Sequence, residues 1–182
     1  MLHGTGGTED DLIPIAKNLD PLAAIISPRG RVSENGMPRF FRRLAEGVFD
    51  IPDLIERSNE LADWIGVAAV QYAFDLSKLV AVGYSNGANI AGGVILLRPG
   101  VITTAILLRP MVPFVPPVLP DLSARRVLIA AGAFDPIAPK PQIEALERLL
   151  KSCGVSVTTH TSDASHGLVK EDIDVSREWL EQ

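Results

Sequence analysis

Cysteine and long apolar runs are both scarce in this chain. Cys153 is the only cysteine among 182 residues, which excludes an internal disulfide framework and fits a reducing cytoplasm. We interpret Cys153 as a residue at the end of a helix and not as a nucleophile. The apolar runs at 102–108 and 127–131 have the length of strands, far below the roughly 18 residues of a membrane-spanning helix. We therefore expect a cytoplasmic protein that is not inserted in a membrane.

The chain also lacks an excess of positive charge. It has 17 Lys and Arg against 22 Asp and Glu, a net charge of -5. A nucleic-acid partner needs a clustered basic surface, so we expect none. The local exception is Arg39-Phe40-Phe41-Arg42-Arg43, which we interpret as a solvated face in preference to an anion site. The first residues show no basic region followed by an apolar core, the pattern of an export signal.

What the chain does have is a regular alternation of strand-like and helix-like segments, with 47% hydrophobic residues. This pattern predicts one α/β domain over residues 1–182, with a mostly parallel central sheet between two layers of helices. Strands are predicted at 23–27, 78–82, 102–108, 126–131 and 155–160. Helices are predicted at 8–18, with Thr8 as N-cap, and at 52–72, 88–97, 141–153 and 168–180.

Two further segments fit neither pattern. Residues 28–50 form a long connection of the kind that shapes binding sites. Residues 110–120 contain several prolines, which forbid a regular helix or a central strand. We favour a pocket wall for this second segment, with a low-complexity linker as the alternative.

The most informative motif is Gly83-Tyr84-Ser85-Asn86-Gly87. It follows the apolar run 79–82 and precedes a small-residue helical segment that starts at Ala88. A serine on a sharp turn between strand and helix needs small neighbours two residues before and after it. The motif therefore predicts a nucleophile elbow with Ser85 as the nucleophile.

Serine needs a base, and the base needs an orienting carboxylate. His166 lies in a small polar loop after the last predicted strand, whereas His160 falls inside that strand. Asp135 directly follows the strand 126–131, at the edge of the sheet where ligands bind in α/β proteins. Asp163 is the alternative carboxylate, although its closeness in sequence to His166 gives it poor geometry. Ser85, Asp135 and His166 follow the chain order of an α/β-hydrolase triad.

The tetrahedral intermediate of acyl transfer needs N–H donors for its oxyanion. The Gly-rich loop His3-Gly4-Thr5-Gly6-Gly7 allows close approach of backbone to substrate. We assign one donor to the N–H of Thr5 and the other to the N–H of Asn86, the residue after the nucleophile. We expect His3 to pack this loop.

Six motifs together cover nearly the whole chain: Leu2-His3-Gly4-Thr5-Gly6-Gly7, Phe40-Phe41-Arg42-Arg43, Gly83-Tyr84-Ser85-Asn86-Gly87, Leu108-Arg109-Pro110, Asp135-Pro136 and His166-Gly167. This set resembles the phospholipase/carboxylesterase family of small α/β hydrolases. The resemblance implies a serine esterase without cofactor or metal, acting on carboxylic esters or thioesters, with the triad and donors named above. It also implies a small-molecule ester as substrate, of the carboxylesterase or lysophospholipase type.

Members of that family normally begin with strands ahead of the His-Gly loop, whereas only Met1 and Leu2 stand there. We therefore expect a sheet without the usual N-terminal strands. Unpaired backbone at a sheet edge lowers stability or promotes pairing with a second copy, so a homodimer is a further expectation.

Two other functions remain open at this stage. One is an α/β-hydrolase scaffold that binds a small ligand without turning it over. The other is an activity like that of dienelactone hydrolases, which are similar in fold but usually carry cysteine in place of Ser85. The resemblance favours a small ester over a long-chain lipid.

Overall fold

The structure is a computed structural model that describes residues 1–182. It contains five α-helices and eight β-strands. In chain order they are α1 Ile13–Leu19, β1 Val32–Glu34, β2 Met37–Arg39, β3 Arg43–Ala45, β4 Val48–Phe49, α2 Ile51–Gln71, β5 Val80–Tyr84, α3 Asn86–Leu97, β6 Thr104–Leu108, β7 Arg126–Gly132, α4 Lys140–Ser152, β8 Ser156–Ser162 and α5 Lys170–Leu180.

The central sheet has four strands in the order β5-β6-β7-β8. All neighbouring pairs are parallel, so the carboxyl ends of the strands share one edge. On the other side of β5, Leu2 makes a single parallel bridge with Gly83. Four of the five predicted strands are found as β5 to β8.

Helices cover both faces of the sheet. Alternate residues of each strand point to opposite faces, which separates the buried side chains into two clusters. The larger cluster joins the sheet to α2, α3 and α4, and the smaller one joins it to α1 and α5. The expected three-layer α/β-hydrolase architecture is confirmed. The longest helix, α2, has 21 residues, and none of the helices combines the length and apolarity needed to cross a membrane.

Two predicted elements near the start of the chain are wrong. The first helix begins at Ile13 and not at Thr8, because Pro14 has no N–H and fits only the first turn of a helix. Residues 23–27 form no strand. They contact the start of the chain instead: the amino group of Met1 donates to the carbonyl of Ile26, and the hydroxyl of Ser27 donates to the carbonyl of Met1.

The long connection 28–50 contains two antiparallel hairpins that the sequence analysis did not predict, β1–β2 and β3–β4. Asn35 and Gly36 form the two-residue turn of the first hairpin, with φ of 52° and 83°. Positive φ at both positions is what a tight hairpin turn requires, and Asn-Gly is its usual sequence signal. After β2 the chain turns inward, and Phe41 is fully buried.

A buried ion pair joins the sheet to α5. Arg109, directly after β6, and Asp172, in the first turn of α5, each have fully buried side chains. The two groups pair in bidentate fashion, Nη1 to Oδ1 at 3.0 Å and Nη2 to Oδ2 at 2.7 Å. Ser162 at the end of β8 donates to Asp172 Oδ1, and the N–H of Val169 donates to Oδ2. Each oxygen of the Asp172 carboxylate therefore accepts two hydrogen bonds from the protein and needs none from solvent.

Arg109→Met should lower the free energy of unfolding by about 3–5 kcal/mol, because it leaves the Asp172 carboxylate buried without its cation. Arg98→Met is the matched control, since Arg98 pairs with Asp63 at the exposed surface and such pairs contribute less than about 1 kcal/mol. Urea denaturation of both variants measures the difference. Equal losses would contradict the assignment of Arg109 as a buried structural cation.

Candidate active site

Ser85 lies between the last residue of β5 and the first residue of α3. Its backbone has φ 51° and ψ -112°, a conformation that non-glycine residues adopt only when their surroundings impose it. Two hydrogen bonds impose it here. The N–H of Ser85 donates to the carbonyl of Leu108 at 2.8 Å, and its carbonyl accepts from the N–H of Asn89 at 3.0 Å. The side chain is thereby turned away from the sheet.

The two glycines of the elbow are required by backbone contacts. A Cβ on Gly83 would lie 2.4 Å from the carbonyl oxygen of Gly87, and a Cβ on Gly87 would lie 1.9 Å from that of Leu2. Neither neighbour is a side chain that can move aside. The absence of side chains lets strand, helix and the start of the His3-Gly4 loop meet at Ser85.

The structure brings the three predicted triad side chains into one hydrogen-bonded series. His166 Nε2 lies 2.9 Å from Ser85 Oγ, and His166 Nδ1 lies 2.8 Å from Asp135 Oδ2. Asp135 is buried, and its other oxygen, Oδ1, accepts the N–H groups of Ile137 and Ala138 at 2.8 and 3.0 Å.

These contacts determine which imidazole nitrogen carries the proton. The Asp135 carboxylate is an acceptor on both oxygens, so His166 Nδ1 must donate to it. Nε2 of the neutral ring is then the acceptor that faces the Ser85 hydroxyl. This is the arrangement that a general base next to a serine requires.

The loop that carries His166 is held by three successive carbonyl oxygens. Arg109 Nε donates to the carbonyl of Ser165, and Arg109 Nη2 donates to that of Gly167, both at 3.1 Å. Between them, the Tyr84 hydroxyl donates to the carbonyl of His166 at 3.1 Å. Burial raises the pKa of Tyr84, which keeps its hydroxyl protonated as a donor. The imidazole is thus positioned through its own backbone.

Arg109 and Tyr84 are not among the site residues that the sequence predicts. A usable signal was present for Arg109, because a charged residue directly after the apolar run 102–108 needs a buried partner or an exposed position. Tyr84 gives no such signal, because the residue before the serine of an elbow motif can be of any type.

The Gly-rich loop presents a free backbone donor next to the elbow. The N–H of Thr5 makes no hydrogen bond within the protein, and Asn86, as the first residue of α3, has no helical acceptor for its N–H. Both ring nitrogens of His3 have partners: Nδ1 lies 2.6 Å from the carbonyl of Gly4 within the loop, and Nε2 accepts from the N–H of Gly30, in the connection 28–50, at 2.9 Å. His3 therefore packs the loop, as expected.

His160, Asp163 and Cys153, the other residues considered for the site, do not join the series from Ser85 to Asp135. His160 is in β8, where its Nε2 lies 3.2 Å from Glu171. Asp163 is exposed, and the carboxylate that contacts His166 belongs to Asp135. Cys153 is the buried C-terminal cap of α4, and burial raises the pKa of its thiol, which makes it a poor nucleophile. No group of three or more His, Cys, Asp or Glu side chains is placed to hold a metal ion.

A cavity of about 290 Å³ adjoins the Gly-rich loop and the elbow. It is lined by Gly4, Thr5, Gly7, Asp11, Leu12, Tyr84 and Leu168. Of the proposed site residues, only Thr5 lines this cavity. The segment 110–120 contributes Met111 and Phe114 to the larger core cluster.

No family model matches the chain, but individual proteins do. It is 44% identical over 182 residues to "Putative hydrolase MhqD" of Bacillus subtilis (strain 168), covering 100% of this chain and 91% of that protein. The carboxylesterase of Bacillus cereus is 46% identical, with a TM-score of 0.96 over 99% of this chain and 85% of the other. A carboxylesterase of Mesorhizobium loti is 34% identical, with a TM-score of 0.91 over 99% and 86%. Since sequence and fold are shared along the whole chain, the protein belongs to the phospholipase/carboxylesterase family of small α/β hydrolases.

Proposed function

We propose that this protein hydrolyses small carboxylic esters through an acyl-serine intermediate. The observation that carries the proposal is the series of hydrogen bonds from Ser85 Oγ through His166 to Asp135, at 2.9 and 2.8 Å. The names of the two carboxylesterases of similar structure support an ester as the substrate. A scaffold that only binds a ligand would have no use for this arrangement.

In the first half of the reaction, Ser85 Oγ attacks the carbonyl carbon of the ester while His166 Nε2 takes the hydroxyl proton. The resulting imidazolium is stabilised by the Asp135 carboxylate, which also accepts the N–H groups of Ile137 and Ala138. As the tetrahedral intermediate collapses, the bond to the alcohol oxygen breaks, and His166 gives its proton to that oxygen. The alcohol leaves and the acyl group remains on Ser85.

In the second half, water replaces the alcohol. His166 Nε2 takes a proton from the water as its oxygen attacks the acyl carbon. Collapse of the second tetrahedral intermediate breaks the bond to Ser85 Oγ, and His166 returns the proton to this oxygen. The acid is released, and the starting protonation states are restored.

Both tetrahedral intermediates carry a negative oxygen. The N–H groups of Thr5 and Asn86 are the donors that we assign to it, with the N-terminal end of α3 adding a favourable dipole. In comparable sites, each such donor lowers the barrier by about 2.7–4 kcal/mol. Neither N–H loses an internal hydrogen bond when it binds the oxyanion.

As part of this proposal, we assign the acyl group of the substrate to the cavity beside Thr5, whose size then limits the chain that fits. Its volume of about 290 Å³ lies just below the range of roughly 300–1,000 Å³ for ligand pockets. Such a volume suits a short acyl chain or a single aromatic ring.

Ser85→Ala should lower kcat for p-nitrophenyl butyrate by about 10⁴-fold or more, because it removes the nucleophile. Ser123→Ala, at an exposed serine, is the control and should keep the wild-type kcat. Steady-state hydrolysis of purified proteins measures both. Equal rates for wild type and Ser85→Ala, with no labelling of wild type by a fluorophosphonate, would favour a non-catalytic scaffold instead.

Asp135→Asn should lower kcat by about 10⁴-fold, because it favours the imidazole tautomer that cannot accept the Ser85 proton. The N–H groups of Ile137 and Ala138 hold the carbonyl oxygen of the new amide, so its NH₂ group faces His166 Nδ1 and forces the proton onto Nε2. Asp163→Asn tests the alternative carboxylate and should change kcat by less than about threefold. The reverse order of effects would reject Asp135 as the orienting residue.

Among p-nitrophenyl esters, kcat/KM should fall by about tenfold or more from butyrate to dodecanoate, because the longer chain exceeds the cavity and loses productive alignment. Initial rates are measured with each ester below its critical micelle concentration, and the rate with Ser85→Ala is subtracted as background. The corrected rates give the ratio of the two kcat/KM values. An equal or higher kcat/KM for dodecanoate would indicate a lipid-type substrate.

A further inference from the structure

We propose that the segment Pro38-Arg39-Phe40, here named the hairpin clamp, positions both oxyanion donors, and that Arg39 is a positioning residue acting through the Thr5 hydroxyl. This inference rests on the proposed esterase function and deepens it. The hairpin clamp forms the end of β2 and the first residue beyond it. Each of its residues bonds to one side or the other of the proposed oxyanion site.

Two residues of the hairpin clamp hold the Gly-rich loop. The carbonyl of Pro38 accepts the N–H of Gly6 at 2.9 Å. The Arg39 Nη1 group donates to Thr5 Oγ1 at 2.5 Å. The Thr5 peptide is therefore restrained at its own side chain and at the following residue, while its N–H stays free.

The third residue holds the elbow. The N–H of Phe40 donates to Asn86 Oδ1 at 2.7 Å, and Asn86 is 2% exposed. The Phe40 ring also packs on the ring of His3, with centroids 4.7 Å apart. One continuous piece of backbone therefore fixes the distance between the two halves of the site.

Arg39 itself is built into the protein interior. Its side chain is 3% exposed, and Nε donates to the carbonyl of Phe41 at 3.1 Å and lies 3.2 Å from Glu34. Burial lowers the pKa of its guanidinium, and the nearby Arg43 acts in the same direction. The interpretation of residues 39–43 as a solvated face is therefore wrong for Arg39, whereas the side chain of Arg42 is 56% exposed.

A loop rich in glycine needs such external restraint. Gly4, Gly6 and Gly7 have no side chains of their own to pack, so the loop has many accessible backbone conformations. An oxyanion donor is effective only when it is held within about 0.5 Å of the productive position. Loss of the restraint should act on the transition state and lower kcat, with little change in KM.

Two other roles for Arg39 predict different results. A purely structural residue would change stability without a specific loss of kcat. A residue that binds an anionic substrate would change KM and would not depend on the Thr5 hydroxyl. Either outcome overturns the inference.

The experiment compares Arg39→Met, Thr5→Val and Thr5→Ser in kcat and KM for p-nitrophenyl butyrate. Thr5→Val removes the acceptor and keeps the shape, whereas Thr5→Ser keeps the acceptor. We expect kcat to fall about tenfold to hundredfold in Thr5→Val and Arg39→Met, with KM within about twofold. Thr5→Ser should lose at most about threefold, and the double variant Arg39→Met/Thr5→Val should be no worse than the lower single variant.

Arg43→Met is the matched control, because Arg43 pairs with the same Glu34 and makes no recorded contact with the loop. If Arg39→Met does not fold, the pair Thr5→Val and Thr5→Ser decides alone, since both keep the buried guanidinium. Wild-type kcat in Thr5→Val, or additive losses in the double variant, overturns the inference while Ser85-dependent hydrolysis stands. An absence of Ser85-dependent hydrolysis in wild type overturns the proposed function and this inference together.

Discussion

The contact on which the site most depends is the buried ion pair between Arg109 and Asp172. A buried pair of this kind adds little net stability over apolar packing, so its importance lies in geometry. The same guanidinium that meets Asp172 also holds the carbonyls of Ser165 and Gly167. It therefore connects the sheet, the first turn of α5 and the loop that carries His166. The imidazole reaches Ser85 because a charged group that cannot leave the interior holds its loop.

Close backbone contacts complete the assembly on the other sides of Ser85. The glycines of the elbow let Leu2 approach α3, and a Cβ on Gly132 would lie 2.3 Å from the carbonyl of Ser165. The strained backbone of Ser85 is tolerated because hydrogen bonds and these contacts leave it no alternative. Arg39 donates a hydrogen bond to the Gly-rich loop, as Arg109 does to the loop that carries His166. Two buried cations thus each hold one of the loops that flank Ser85.

The sequence was sufficient for the sheet, most helices and the meeting of Ser85, Asp135 and His166, since all three follow strands whose carboxyl ends share one edge. It was insufficient where one local pattern is compatible with more than one structure. The apolar residues at 23–27 predict a strand, but a strand requires a partner that local sequence does not reveal. The five residues at 39–43 looked uniformly solvated, although Arg39 is buried and Arg42 is exposed. Side-chain partners that are distant in sequence decided these cases.

In the proposed reaction, hydrolysis passes through a covalent acyl bond to Ser85. Titration with a fluorophosphonate, followed by peptide mass spectrometry and residual activity measurements, tests it most directly. We expect one label per chain, located on the peptide that contains Ser85, and loss of ester hydrolysis in proportion to labelling. Full labelling with retained hydrolysis, or a label at another residue that abolishes activity, would contradict it.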